Sequence, residues 1–355
     1  MEPTRPLVGT DRSRIESPWE RLQRILLSWE AMLVYLLVVV VVVFSQLSPY
    51  FLNLFNVMNT TLNFTERAII ALPMMFVIIS GDIDISVASM MALASVFMGM
   101  AAEAGVGIPG LIAVGMLTGL AAGMFNGFLI TYFDVPSIAV AIGAMSLYRG
   151  IAYAILGDKA FTSYTLEFNA LGQGYLPGTI IPVQLVIFVV LALLFGYVLH
   201  RTRFGRETFA IGNNAHAARF SGVDVARHRF INFALLGLMS GLAAVLLTAR
   251  ILSTRPNIAN GWELDVVTTV VLGGVAITGG KGNIFGVVVG IFLLGMLKYG
   301  MGLINIPGRV MSIVTGFLLI IAILLPELIA MIQRRRQLAR TRADINQHGA
   351  PEEVS

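Results

Sequence analysis

An all-α polytopic membrane protein is the fold this sequence predicts, and three observations predict it. Hydrophobic residues make up 57% of the 355-residue chain and charged residues only 12%, more apolar surface than a soluble domain of this size can bury. Ten apolar stretches, each near the ~20 residues a helix needs to cross a bilayer, fill the chain from residue 31 to about residue 332. Lys and Arg gather in three clusters that an even number of crossings places on one side.

The stretches run over roughly 31–48, 60–80, 84–102, 109–132, 137–156, 181–200, 230–250, 264–279, 284–303 and 309–332. Glu66 and Arg67 interrupt the second and are expected to form an interfacial pair. The third starts directly from a turn holding Asp82 and Asp84, so 60–102 is either two crossings or a broken, re-entrant pair. The basic clusters are Arg5, Arg12, Arg14, Arg21 and Arg24; Arg201, Arg203, Arg206, Arg219, Arg227 and Arg229; and Arg334, Arg335, Arg336, Arg340 and Arg342. With Lys281 they hold most of the 24 basic residues, and the positive-inside rule makes their side the cytoplasm, with both termini there. Residues 1–30 then form a cytoplasmic segment without a signal-peptide cleavage site, 31–332 the membrane domain with a cytoplasmic loop at 201–229, and 333–355 a cytoplasmic tail whose polar end is expected to be disordered. The net charge of +4 is read as these loops on a lipid surface, with no nucleic-acid partner, and the absence of Cys excludes disulfides and thiol chemistry. The loop 157–180, with Gly172, Gly174, Pro177 and Gly178, is expected on the outer side with a short interfacial helix.

Four features carry function. The first is Ser80-Gly81-Asp82-Ile83-Asp84-Ile85-Ser86-Val87-Ala88-Ser89, because carboxylates beside hydrocarbon need a structural or a transport role. Asp84 or Ser86 can cap the following helix, or Asp82, Asp84, Ser86 and Ser89 can belong to a gate or pathway. The second is the four-residue spacing of Gly115, Gly119, Gly123 and Gly127, which puts four glycines on one helix face where another backbone can approach; Asn126 beside it can bond across a helix pair. The third is the 201–229 loop, read as a short amphipathic helix in which small Ala217 and Ala218 admit a partner and Gly222 ends the helix. The fourth is the ordered series Glu263-Leu264-Asp265, Leu272-Gly273-Gly274, Gly279-Gly280-Lys281-Gly282 and Gly286 with Gly290. It is no phosphate loop, since Val275 stands where the first Gly is needed and Gly282 where Ser or Thr must follow the Lys.

The Gly81–Ser89 stretch resembles the Gly-Ile-Asp-Leu-Ser signature of the sugar permeases of ATP-binding-cassette (ABC) importers, with Asp82 and Ala88 in place of two of its glycines. Ala217-Ala218 followed by Gly222 is similar to their Glu-Ala-Ala-x-x-x-Gly loop, with His216 in place of the Glu. The Glu-Leu-Asp to Gly-x-x-x-Gly series is similar to their C-terminal half, so the resemblance runs from about residue 53 to 325. It implies a type II-like importer-permease architecture. It also implies a second permease copy or homologue, a cytoplasmic ATPase subunit that carries ATP and magnesium, and an external (periplasmic or extracellular) sugar-binding protein. Asn213, His216, Ala217, Ala218, Arg219 and Gly222 would dock the ATPase. Tyr148 and Arg149 would join Asp82, Asp84, Ser86, Ser89 and Glu263 as pathway or gate candidates, or Arg149 and Lys298 would snorkel to the outer interface. The Val135-Pro136-Ser137-Ile138 and Ser146-Leu147-Tyr148-Arg149-Gly150-Ile151 segments resemble rhamnose- and autoinducer-2-type permeases more than ribose permeases, and the related nucleoside permeases stay open as an alternative. No cofactor, metal or catalytic residue is expected in this chain. Two other classes are weighed. An ion-coupled secondary transporter would use Asp82, Asp84 or Glu66 but leaves the 201–229 pattern without a task. An intramembrane enzyme would need a converging constellation, which the four His at 200, 216, 228 and 348 do not make.

Overall fold

The computed structural model describes residues 28–324 together with Leu26, Leu328 and Met331. The expectations for most of the N-terminal segment, for the end of the tenth stretch and for the tail lie outside them.

Among the described residues the chain is helical, with two isolated bridges, Phe161 to Thr254 and Tyr175 to Pro182. In chain order the helices are α1 (Trp29–Leu47), α2 (Leu54–Thr61), α3 (Thr65–Ile79), α4 (Val87–Glu103), α5 (Ile108–Tyr132), α6 (Ser137–Leu156), α7 (Asn169–Gln173), α8 (Val183–Arg201), α9 (Arg203–Asn213), α10 (Ala215–Phe220), α11 (Val225–Ile251), α12 (Trp262–Leu272), α13 (Ile284–Leu303) and α14 (Gly308–Leu324). Six of them, α1, α5, α6, α8, α11 and α13, are long and apolar enough to cross a membrane. The α2–α3 pair, bent by 52°, makes a seventh crossing if taken as one. The remaining expected crossings are the shorter helices α4, α12 and α14, so length and composition alone do not reach ten.

Local chemistry sets the ends. Ser28, Asn53, Thr202, Asn214, Asp224 and Asn283 each accept a backbone N–H of the helix they open. The 157–182 loop carries a 3₁₀ turn at Leu166–Phe168 and then α7, the short helix expected there. Asn169 and Gln173 tie it to the end of α11 by donating to the Ala249 and Arg250 carbonyls at 3.0 and 2.7 Å.

The interior is built from α3, α4, α11, α12 and α13, with α1, α5, α6 and α8 more exposed around it. Every residue of α3 except Arg67 is buried. α5 crosses α11 at close range. A methyl on Gly119 would lie 2.6 Å from the Gly241 backbone, and one on Gly123 would lie 2.7 Å from Gly237 Cα, so the expected glycine face is reciprocated by a second Gly-x-x-x-Gly pair. Gly127 meets Phe230 and Phe233, and Gly115 meets Met98 and Val245.

Two stretches break the helical pattern in the same way. α3 ends at Ile79, the chain runs irregularly through Ser80–Ser86, and α4 returns. α12 ends at Leu272, the chain turns through Gly273–Asn283, and α13 returns. Eleven residues in α12 span ~16 Å, about half the hydrocarbon thickness. Irregular backbone is tolerated there because its polar groups are paired internally. Val275 N–H reaches the Val270 carbonyl at 3.3 Å, Ala276 N–H the Lys281 carbonyl at 3.1 Å, and Gly280 N–H the Ile79 carbonyl at 2.8 Å.

Candidate functional site

The Gly280–Ile79 hydrogen bond joins the two breaks, and α9 closes over the same point. Gly212 sits so tightly against Ile79 O and Gly280 that any side chain there would overlap both, and a methyl on Gly279 would lie 3.0 Å from Ile79 O and 3.1 Å from Gly212 O. Asn213 reaches toward the Gly280 carbonyl at 3.5 Å. The 80–89, 201–229 and 273–283 signatures, far apart in the chain, thus share one end of the molecule.

The loop expected to hold one amphipathic helix holds two, α9 and α10, broken at Asn214, whose side chain caps α10 by accepting from Ala217 N–H at 3.0 Å. Gly222 closes α10 with φ +84°, its N–H on Arg219 O and that of Val223 on Ala218 O. His216, Ala217, Arg219 and Gly222 are exposed. Ala218 is buried against Ile211 and Val225, so it fastens α10 to its own chain. Phe220 is 94% exposed on α10, a residue the sequence reading passed over. His228 is buried beneath this segment, Nε2 on the Thr208 hydroxyl at 2.9 Å and its ring stacked on Phe204 at 4.1 Å.

The carboxylates of the first signature part company. Asp84 is fully buried: Oδ1 accepts from Ser86 N–H at 2.7 Å and Ser86 Oγ at 2.6 Å, and Oδ2 from Asn126 Nδ2 at 3.0 Å. Tyr148 completes the set, donating to Asn126 Oδ1 at 2.7 Å, with Ala122 O at 2.9 Å. The network ties the start of α4 to α5 and α6. Ser86 stands at the N-cap of α4 without a side-chain capping bond. Ser89 is buried one turn on. Asp82 instead faces α11, where Arg229 Nη2 donates to Oδ1 at 2.9 Å and Nε lies 2.7 Å from Oδ2.

The far end, where α3 and α12 begin, holds a second set of charges. Glu66 and Arg67 do not pair with one another as expected. Helical spacing turns these adjacent residues to different neighbours: Glu66, fully buried, accepts from Arg250 Nε at 2.7 Å, and Arg67 pairs with Asp265 at 2.6 Å. Lys298 does not snorkel free, since Nζ lies 2.6 Å from the same Asp265 oxygen. Arg149 donates to the Pro256 and Ile258 carbonyls at 2.6 and 2.9 Å, fastening α6 to the 252–261 turn. Glu263 opens α12 with Oε2 buried and without a hydrogen-bond partner among the described residues. Among those residues no group of three or more His, Asp or Glu is placed to hold a metal ion.

This is a multi-pass membrane protein whose two helix breaks and surface helices gather at one end, and the class it belongs to is the membrane permease. Residues 56–323 match the family described as the permease component of the branched-chain amino acid transport system, and the chain belongs to that family. It is 36% identical over 301 residues to an autoinducer 2 import system permease of Yersinia enterocolitica, covering 83% of this chain and 90% of that one. It is 34% identical over 291 residues to a ribose import permease of Bacillus subtilis (81% and 90%) and 34% identical over 306 residues to an autoinducer 2 import system permease of Escherichia coli K12 (84% and 92%). No solved structure gives a significant match. The chain is therefore a transport subunit of an ABC importer and not an enzyme.

Proposed function

We propose that this chain forms the membrane pathway for a small sugar, a pentose or deoxyhexose such as rhamnose, in an ABC importer of the bacterial inner membrane. The names of its relatives, importers of ribose and autoinducer 2, support a sugar-like solute. An external binding protein delivers the solute and sets the specificity. A second permease, a copy or a homologue, completes the pathway, and a cytoplasmic ATPase with its ATP and magnesium supplies the work. The basic clusters favour both termini and the 201–229 segment on the cytoplasmic side. With α2–α3, α4, α12 and α14 counted as shortened or broken crossings, the crossings number ten.

The observation that carries the mechanism is the tight seat of α9 on the two breaks. Asn213, His216, Ala217, Arg219 and Gly222, with Phe220 added, form the surface offered to the ATPase, and buried Ala218 holds that surface to the bundle. Because Gly212 is pressed onto Ile79 and Gly280, a displacement of α9–α10 has no slack to absorb it and moves both breaks. Asp82–Arg229 links the first break to α11, and the Asp84–Ser86–Asn126–Tyr148 network carries the motion to α5 and α6, so these residues act as a gate hinge that positions the pathway walls.

The test is purification of the tagged chain from its native membranes in mild detergent, with solute uptake measured in parallel. An ATPase subunit is expected to co-purify, and uptake to stop on ATP depletion and to survive an uncoupler. Recovery of the chain alone, with uptake that follows the proton gradient, would overturn the reading. A binding protein recovered with it identifies the solute by its melting shift with ribose, rhamnose or autoinducer 2.

A further inference from the structure

At the far end, α2, α3, α12, α13 and α14 surround a cavity of about 540 Å³ that no step above uses. Its polar wall is Arg67, Asp265 and Lys298, with Asn63, and its apolar wall includes Phe64, Leu294 and Met311. Arg67 Nη1 and Lys298 Nζ both lie 2.6 Å from one oxygen, Asp265 Oδ2. Arg67 Nη2 donates to the Asn63 carbonyl and Nε is buried without a partner among the described residues, which leaves the second N–H of Nη1 and of Nη2 for a further acceptor. The guanidinium stands 4.7 Å over the Trp262 ring, which fixes its plane. The neighbouring pair Glu66–Arg250 is balanced, so the cluster as a whole carries one more cation than carboxylate. Two cations on one carboxylate oxygen, beside a void and above an apolar wall, are a poor arrangement for an empty site.

We infer that this cavity binds one glycerophospholipid, its phosphodiester between Arg67 and Lys298 and an acyl chain along the Phe64–Leu294–Met311 wall. A phosphodiester carries the single negative charge that the cluster lacks and two oxygens for the spare donors of Arg67 and Lys298. A sugar offers no charge, and a free phosphate leaves the apolar wall uncovered. The cavity lies at the ends of α3, α12 and α13 remote from the 201–229 segment, and the orientation proposed above places it at the outer leaflet. The bound lipid would lock the bent α2–α3 pair to α12–α14. The inference concerns lipid and fold stability and stands or falls independently of the transported solute.

The test uses the full chain, purified and stripped of lipid in a maltoside detergent, and measures its melting temperature. Phosphatidylglycerol is expected to raise it by about 3 °C. Diacylglycerol, which lacks the phosphate, and inorganic phosphate, which lacks the chains, are expected to leave it unchanged. Ser312→Trp and Met311→Trp fill the cavity without touching the ion cluster, and each should abolish the shift. Leu193→Trp, on the exposed face of α8, should keep it. Native mass spectrometry of the unstripped wild-type protein should show one retained phospholipid. An equal shift with inorganic phosphate, an equal shift in the cavity-filling variants, or no shift and no retained lipid in the wild type would each overturn the assignment.

Discussion

Gly119 and Gly237 face one another with no room for a side chain, and substitution at either separates α5 from α11. A methyl on Gly119 meets backbone, which cannot rotate aside, so Gly119→Leu is expected to destabilise the protein by at least about 3 kcal/mol, at the upper end of overpacking effects. Yield and melting temperature in detergent measure it, and unchanged values would show that the two helices do not cross here. Asp82 and Arg229 permit a sharper test. Removing one charge of a partly buried pair strands the other, at a cost of about 3–5 kcal/mol. Asp82→Arg and Arg229→Asp should each lower the melting temperature and uptake, and the two together should restore much of both. A double variant as poor as either single one would mean that the contact contributes nothing. Both Asp84 oxygens accept from donors, Oδ1 from Ser86 and Oδ2 from Asn126, so Asp84→Asn sets an amide against Ser86 or Asn126. Because this network is the proposed hinge, uptake should fall further than the folded protein recovered. Equal loss of both would instead make Asp84 a structural group at the start of α4.

Among the elements, α10 makes the strongest prediction. A phenylalanine 94% exposed on a six-residue helix has no packing role in its own chain. Truncating a well-buried aromatic anchor at an interface weakens association by about 2 kcal/mol, or ~30-fold. Phe220→Ala is therefore expected to keep yield and melting temperature while losing most of the co-purifying ATPase; full retention of the ATPase would place the docking contact elsewhere. The elements were unevenly legible in the sequence. The six long crossings and the Gly115–Gly127 face follow from hydropathy and spacing, which are local. The reciprocal Gly237–Gly241 pair carries the same four-residue signal, but a single repeat in a helix is too short to mark a face without its partner in view. The division of 201–229 into α9 and α10 turns on Asn214, a cap residue inside a polar run. The partners of Glu66, Arg67 and Lys298 come from helices remote in the chain, and no local pattern records such pairings. Nor does one record that the three signatures meet at Ile79 and Gly280.

On the scale of the molecule, α6 is the element that does not fit a lone chain. Its exposed face includes Ala139, Gly143, Ser146 and Gly150, and a methyl added to Gly143 or Gly150 would meet nothing within 4 Å. Gly119, Gly123 and Gly127 of α5, in contrast, are filled by α11. A glycine in a helix interior loses about 0.5–1 kcal/mol relative to alanine, and in a bilayer that loss is recovered where another helix approaches. Lipid gives no such return, whereas the second permease proposed above would give it. The 201–229 segment touches the first break at Ile79 and Asp82, and Asp84, Asn126 and Tyr148 tie that break to α6, so the surface proposed for the ATPase and the unfilled helix are joined through it. The chain has no Cys, so single thiols can be placed without background. A thiol-anchored photoreactive probe at Ser146→Cys is expected to capture a chain of permease size in native membranes, whether a copy or a homologue. The same probe at Leu193→Cys, on exposed α8, should label lipid alone. Capture at both positions alike, or at neither, would mean that α6 faces the bilayer and that the pathway is walled by other helices.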